Sequence, residues 1–357
     1  MVVKELDKYL KEACFYHDLA GLAIGVTVGL NSPLKCRGLN YKNAEGYKNF
    51  MTKEPLKADN IFHVASVTKL FVGTSIMILS ERGLLELDTP VEKVIPWLLI
   101  DDKRYKDITI RHLLTHTAGL ADVSDYGWDK PEFDESALKR YIQSDEVVKS
   151  KLFWHPSENN FKYSNIGYEI LGTVIAEISG VSFEKFVSEH ILKPLQMTNT
   201  TLLTFERASG SLQLKDLEKV NMAMPHTKDP ENHIVLEKQY PYNRAHGPSS
   251  TITTNLKDLE KWARANLEKR ILKEESYKQI WSPQALVPNN GEHIGLSWFI
   301  REQNGYILYG HEGNDDGFRA SFWMCPELDL HIAVESNISK APVKGISKNI
   351  FNIMTSV

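Results

Sequence analysis

Strand-like segments stand at both ends of this chain with helical sequence between them, and that distribution constrains the fold more than any other feature. Near the start, Leu22 to Val28 is short and β-branched, and an extended segment around Lys35 to Tyr47 is rich in Gly and Asn, as hairpin connections are. Near the end, four further strands are predicted at Leu296–Ile300, Tyr306–Tyr309, Arg319–Met324 and Leu330–Glu335. Residues 84–205 read as helices separated by turns such as Leu87-Asp88-Thr89-Pro90 and His155-Pro156-Ser157. A strand must pair, so the two ends are expected to build one sheet, with the helical part inserted into it. The expected class is α/β (α+β): residues 1–83 and 245–357 form a sheet lobe, residues 84–244 a mostly helical lobe, and a cleft lies between them. Helices are expected over 2–18, from Ser66 to about Gly83, over Thr253–Leu272 and over 343–355.

The 357 residues, 42% hydrophobic and 25% charged, can bury a full core, so disorder and fibrous structure are excluded. A net charge of −4 with scattered Lys and Arg leaves no electrostatic footprint for nucleic acid. Cys14, Cys36 and Cys325 form no C-x-x-C pair and are expected to be reduced packing residues. No metal-ligand spacing, Walker loop or G-x-G-x-x-G occurs, so no cofactor is expected. The apolar run Leu19–Leu30 is about half of the ~20 residues that a membrane span needs and reads as a buried strand. The start, Met1-Val2-Val3-Lys4-Glu5, lacks the apolar stretch of a secretory signal, so a cytoplasmic location without a membrane span is expected.

A serine hydroxyl needs an adjacent base to become a nucleophile. At a helix start, positions i and i+3 share a face, so Ser66-Val67-Thr68-Lys69 sets an amine beside a hydroxyl. The helix start also offers unpaired N–H groups to an oxyanion, and burial lowers a lysine toward its neutral, basic form. The S-x-x-K spacing recurs at Ser136–Lys139 and Ser182–Lys185, where helix capping explains it. Ser66 differs in following a strand-like apolar run and leading a helix that is apolar on most sides.

Phe62-His63-Val64-Ala65-Ser66-Val67-Thr68-Lys69 resembles the first motif of the β-lactamase-related serine hydrolases. That family includes class C β-lactamases, D-Ala-D-Ala carboxypeptidases, D-aminopeptidases and esterases with a β-lactamase fold. Three further segments agree in order: Leu113–Leu120 (LLTHTAGL), Phe161–Tyr168 with Tyr163-Ser164-Asn165 as the Y-x-N motif, and His311-Glu312-Gly313 as an H-x-G form of the third. The resemblance covers about residues 20–340 and implies a β-lactamase/transpeptidase-like fold with an antiparallel sheet flanked by helices. Tyr41-Lys42-Asn43 and His293-Ile294-Gly295 also fit the short patterns, but their positions suit structural roles.

By this resemblance Ser66 is the nucleophile, Lys69 its activating amine, and Tyr163 a partner base whose phenol, ionised or hydrogen-bonded beside Lys69, shuttles the proton. Asn165 would hold Lys69 and the substrate, His311 would stand in the third motif, Gly313 would permit close approach, and the Asn314 N–H would join that of Ser66 as oxyanion hole. His116 is assigned to structure. The third motif departs from the lysine and hydroxyl that hold a substrate carboxylate: Glu312, with Asp315 and Asp316, repels one unless Arg319 compensates. Small esters, amides, or peptides with a free amino group therefore fit better than β-lactams. A true β-lactamase or D-Ala-D-Ala carboxypeptidase, an acyl transferase, and a catalytically silent scaffold are the alternatives. Loops 121–160 and 206–245 are the expected cleft walls.

Overall fold

The computed structural model of the chain describes residues 2–356. Five helices in it exceed ten residues: α1 (Val2–Tyr16), α2 (Thr68–Glu81), α3 (Asn165–Ser179), α4 (Leu256–Leu267) and α5 (Val343–Ser356). The strands are β1 (Gly21–Val28), β2 (Asn40–Asn49), β3 (Glu54–Pro55), β4 (Phe62–His63), β5 (His226–Lys228), β6 (Ile234–Leu236), β7 (Thr253–Thr254), β8 (Ala285–Leu286), β9 (His293–Ile294), β10 (Phe299–Gln303), β11 (Tyr306–Asp315), β12 (Phe318–Cys325) and β13 (Leu330–Ser336). Nine of them form one sheet in the order β3-β2-β1-β13-β12-β11-β10-β9-β8.

The two chain ends meet inside that sheet: β1 pairs antiparallel with β13 from Leu22↔Ser336 to Val28↔Leu330. Both strands are buried along their whole length; β1 is apolar but for Thr27, whereas β13 also buries His331, Glu335 and Ser336. α1 and α5 lay their apolar stripes, Leu6, Leu10 and Cys14 on one and Ile346, Ile350 and Phe351 on the other, across one face of the sheet. The opposite face meets α2, α4 and the helical region in a larger core. α2 is buried from Thr68 to Leu79, a helix packed on every side as its apolar sequence requires. Among the described residues no helix is long and apolar enough to cross a membrane. All three cysteines are free thiols.

Several boundaries differ from expectation for local reasons. The strand expected at Leu296–Ile300 begins at Phe299, because Ser297 adopts φ +70° and Leu296 and Trp298 are core residues of a turn packed on Gly73 of α2. The helix expected from Thr253 starts at Leu256: Thr253 and Thr254 pair with β4, and the Asn255 side chain caps the helix by accepting from the Asp258 N–H at 3.0 Å. β11 is far longer than Tyr306–Tyr309. It runs on through Gly310 and Gly313, residues of low strand propensity that disguise it. β10 pairs only with its first half, Tyr306 to Gly310, so residues 311–315 have a strand neighbour on one side only.

Candidate active site

Between Ile61 and Leu79 every residue is buried except Ser66. It sits in a 3-10 turn, Ala65–Val67, that feeds directly into α2, where the first N–H groups lack intrahelical partners. Ala65 before it adopts φ +46° although it carries a Cβ. Backbone strain of this kind is held only where the surroundings impose it. Here the Thr68 hydroxyl donates to Ala65 O at 2.7 Å and accepts from the Ile252 N–H at 3.1 Å, locking the turn to the segment behind it.

Lys69, one turn on, is fully buried. Its Nζ has three oxygen partners: Ser66 Oγ at 2.9 Å, Asn165 Oδ1 at 2.6 Å and the Ser249 carbonyl at 2.8 Å. Burial lowers its pKa to about 8, with the charges of Glu169, Asp122 and Asp315 working the other way. The amine is thus within reach of its neutral form near neutral pH while it faces the hydroxyl.

Of the two forms expected of Tyr163, an ionised or a hydrogen-bonded phenol, the surroundings favour the second. Burial pushes it well above the usual tyrosine value, opposed by a hydrogen bond with Ser66. Lys69 Nζ spends its three bonds elsewhere and lies 5.0 Å from the centre of the Tyr163 ring. The phenol is therefore neutral and can donate. His116 fixes its plane: the two rings stack at 4.2 Å with 28° between them. His116 itself is held at φ +57°, and its Nδ1 accepts from the Ser164 N–H at 3.1 Å. The structural role expected of His116 thus has a specific object, the Tyr163 ring.

Asn165 begins α3, whose N-cap Ser164 accepts from the Gly167 N–H. Its Oδ1 accepts from Lys69. Its Nδ2 donates to Asp122 Oδ1 at 2.9 Å and to the Tyr126 hydroxyl at 2.6 Å, so both ends of the amide are engaged within the protein.

The half-unpaired end of β11 lies against the Ser66 turn. A Cβ on Gly313 would stand 2.1 Å from the Val64 carbonyl, a distance that only glycine allows. A buried hydrogen bond of 2.7 Å joins His63 Nε2 of β4 to Asp315 Oδ2 of β11 and ties the two elements together on either side of Ser66 and Asn314. The His311 Nδ1 lies 2.5 Å from the Glu312 carbonyl, and burial, helped by the charge of Lys69, lowers the ring to about 3, so it is neutral. Arg319 donates to the Asp315 and Phe318 carbonyls.

Ser66, Tyr163, Asn165, His311 and Asn314 all line one cleft. The other S-x-x-K serines lie outside it. Ser182 caps the helix Phe183–Val187 by accepting from the Lys185 N–H, whereas Ser136 stands at an N-cap position without making a capping bond. Ser32-Pro33-Leu34-Lys35 fits the spacing too, and its hydroxyl is spent on the Leu328 carbonyl at 2.5 Å. Of the expected walls, 121–160 contributes Asp122 and Tyr126, while 206–245 contributes nothing; Val287, Asn290 and Glu292 take its place.

A family model described as Beta-lactamase matches residues 6–353. The chain belongs to the beta-lactamase family. Among the curated relatives of this family member, Penicillin-binding protein 4* of Bacillus subtilis (strain 168) is 28% identical over 292 residues, 78% of this chain and 61% of that protein. Protein flp of Staphylococcus aureus (strain MW2) is 24% identical over 312 residues, 85% of this chain and 58% of its own length. The chain thus spans about three fifths of the length of these relatives. Among solved structures, the octameric penicillin-binding protein homologue from Pyrococcus abyssi superposes with TM-score 0.80 at 25% identity, over 100% of this chain and 78% of that one. The D-amino acid amidase from Ochrobactrum anthropi SV3, complexed with L-phenylalanine amide, gives 0.78 at 20% identity over 99% of both chains, a likeness of fold.

Within this beta-lactamase-family site the sequence reading missed a supporting layer. Asp122 and Tyr126 come from an irregular loop and carry no pattern. Glu169 was legible: it is a carboxylate four residues after Asn165, on the apolar first half of its helix, fully buried, with Oε1 3.2 Å from His246 Nδ1. His63, a titratable residue inside an apolar run, gave a similar signal.

Proposed function

We propose that the chain is a serine hydrolase that acts through an acyl-enzyme on Ser66, taking small esters, amides or peptides in preference to β-lactams. The observation that carries the reading is the buried Lys69 amine, lowered to about 8 and 2.9 Å from Ser66 Oγ. Neutral Lys69 takes the Ser66 proton as Oγ attacks the substrate carbonyl. The oxyanion is received by the Ser66 and Asn314 N–H groups. Tyr163, a neutral phenol hydrogen-bonded to Ser66, passes its proton to the leaving group and is reprotonated from Lys69. Deacylation repeats the sequence with water in place of the serine. Asn165, held by Asp122 and Tyr126, keeps the lysine aimed at the hydroxyl.

Release of p-nitrophenol from p-nitrophenyl butyrate, with nitrocefin in parallel, tests this in the native chain and in Ser66→Ala. Ester turnover that vanishes in the variant, with nitrocefin slow in both, is the expected outcome. Equal ester turnover in the two proteins would remove Ser66 from the mechanism, and fast nitrocefin cleavage would overturn the substrate preference.

A further inference from the structure

The cleft continues past Ser66 round the half-unpaired edge of β11 and has a volume of about 490 Å³. Side chains alternate along a strand, so His311 and Asp315 face Ser66 while Glu312 faces the side of the sheet that α5 covers. The far wall there is formed by Glu312, Trp323, Glu292 and Lys344. The whole lining carries four carboxylates, Asp122, Glu292, Glu312 and Asp315, against one cationic side chain, Lys344.

Three of these carboxylates are engaged: Asp122 by Asn165, Asp315 by His63, and Glu292 by Lys344 at 2.7 Å. Glu312 is only half engaged. Its Oε1 accepts from the Trp323 Nε1 at 2.7 Å and from the Ser321 hydroxyl at 3.2 Å, while Oε2 is buried without a partner. Arg301 lies over the Trp323 ring at 4.0 Å and makes no ion pair among the described residues. The only other buried side-chain atom of the lining without a partner is His311 Nε2. Its Nδ1 lies against a carbonyl and so carries the proton, which leaves Nε2 a lone pair. Both unfilled atoms are acceptors. A buried acceptor left empty is unfavourable, and a ligand donor relieves it.

We propose that this chamber is a subsite for a protonated amine of the substrate, received by Glu312 Oε2 beside Trp323, and that Glu312 selects ammonium-bearing substrates over neutral and carboxylate-bearing ones. The inference rests on the Ser66 acyl-enzyme reading, since the scissile carbonyl anchored there brings the amine to Glu312. Burial raises the Glu312 carboxyl above its usual range even against the Trp323 and Ser321 hydrogen bonds and the charges of Arg301 and Lys344, and an arriving cation at Oε2 offsets more of that cost.

The test uses two matched ester series, because the amine could sit on either side of the scissile bond. On the leaving-group side these are 4-(aminomethyl)phenyl butyrate, 4-ethylphenyl butyrate and 4-(carboxymethyl)phenyl butyrate. On the acyl side they are the p-nitrophenyl esters of 6-aminohexanoate, heptanoate and hydrogen adipate. In one series kcat/KM should fall from ammonium to neutral to carboxylate. The ammonium-to-neutral ratio should drop at least about tenfold in Glu312→Gln, a ratio in which any general loss cancels. Calorimetric titration of the Ser66→Ala protein with the same esters reads the preference without turnover, so that failure of the nucleophile and failure of the subsite are separable. Ratios unchanged by Glu312→Gln in both series, or equal binding of all three charge types, would overturn the proposal.

Discussion

If Lys69 is the base, the rate of acylation must follow the fraction of it that is neutral. Its pKa of about 8 makes that fraction about one tenth at pH 7 and about nine tenths at pH 9. For p-nitrophenyl butyrate, with the Ser66→Ala rate subtracted, kcat/KM should therefore rise about tenfold from pH 7 to pH 9, with a slope of one below pH 8 and a plateau above. The same displacement acts on stability with a definite sign. The unfolded lysine keeps its proton up to about 10.5, so between about 8 and 10.5 the unfolded state binds more protons and stability rises with pH. Below that window the burial costs about 3 kcal/mol, which is returned as pH rises through it.

Glu169→Gln supplies the control perturbation. Glu169 is the foremost of the three carboxylates that resist the lowering of Lys69, and the amide keeps an oxygen opposite His246. Its limb should lie below that of the native protein, with a larger share of plateau activity at pH 7. A flat profile, a limb near 10, or limbs that coincide in the two proteins would refute the assignment of the base to Lys69.

Gly313→Ala places a Cβ 2.1 Å from the Val64 carbonyl, so it should cost about 1–3 kcal/mol by chemical denaturation and lower kcat about a hundredfold as β11 is forced off the Ser66 turn. Asp315→Asn removes the charge from the bond to His63 that spans Ser66 and Asn314; kcat should fall about tenfold with KM within about threefold, as steady-state kinetics would show. Tyr163→Phe should lose about a hundredfold or more in kcat toward amides, whose leaving group needs a proton, and less toward p-nitrophenyl esters, a contrast that comparing the two substrates reads directly.

What the sequence discloses here and what it hides follow from one physical distinction. Continuous burial writes itself as composition: β1 and α2 are packed on all sides, and their mostly apolar sequences announced them as elements. Ser66 and Lys69 were legible because a helix converts sequence spacing into a shared face. Close approach of backbones writes no such pattern. Composition carried the strand only to Tyr309, and the part that bears His311, Gly313 and Asn314 left no strand pattern because its glycines, which permit contact with Val64, are the residues that strands otherwise avoid. Leu296 to Trp298 misled in the opposite sense, since their burial in a turn against α2 mimics a strand. The support around the reactive pair was least visible, because Asp122 with Asn165 and His63 with Asp315 join residues 43 and 252 positions apart. Only the fold makes them neighbours. The setting that holds Lys69 near 8 is therefore a property of the assembled chain: burial lowers the amine, and Glu169, Asp122 and Asp315, brought together only by the fold, limit how far it falls.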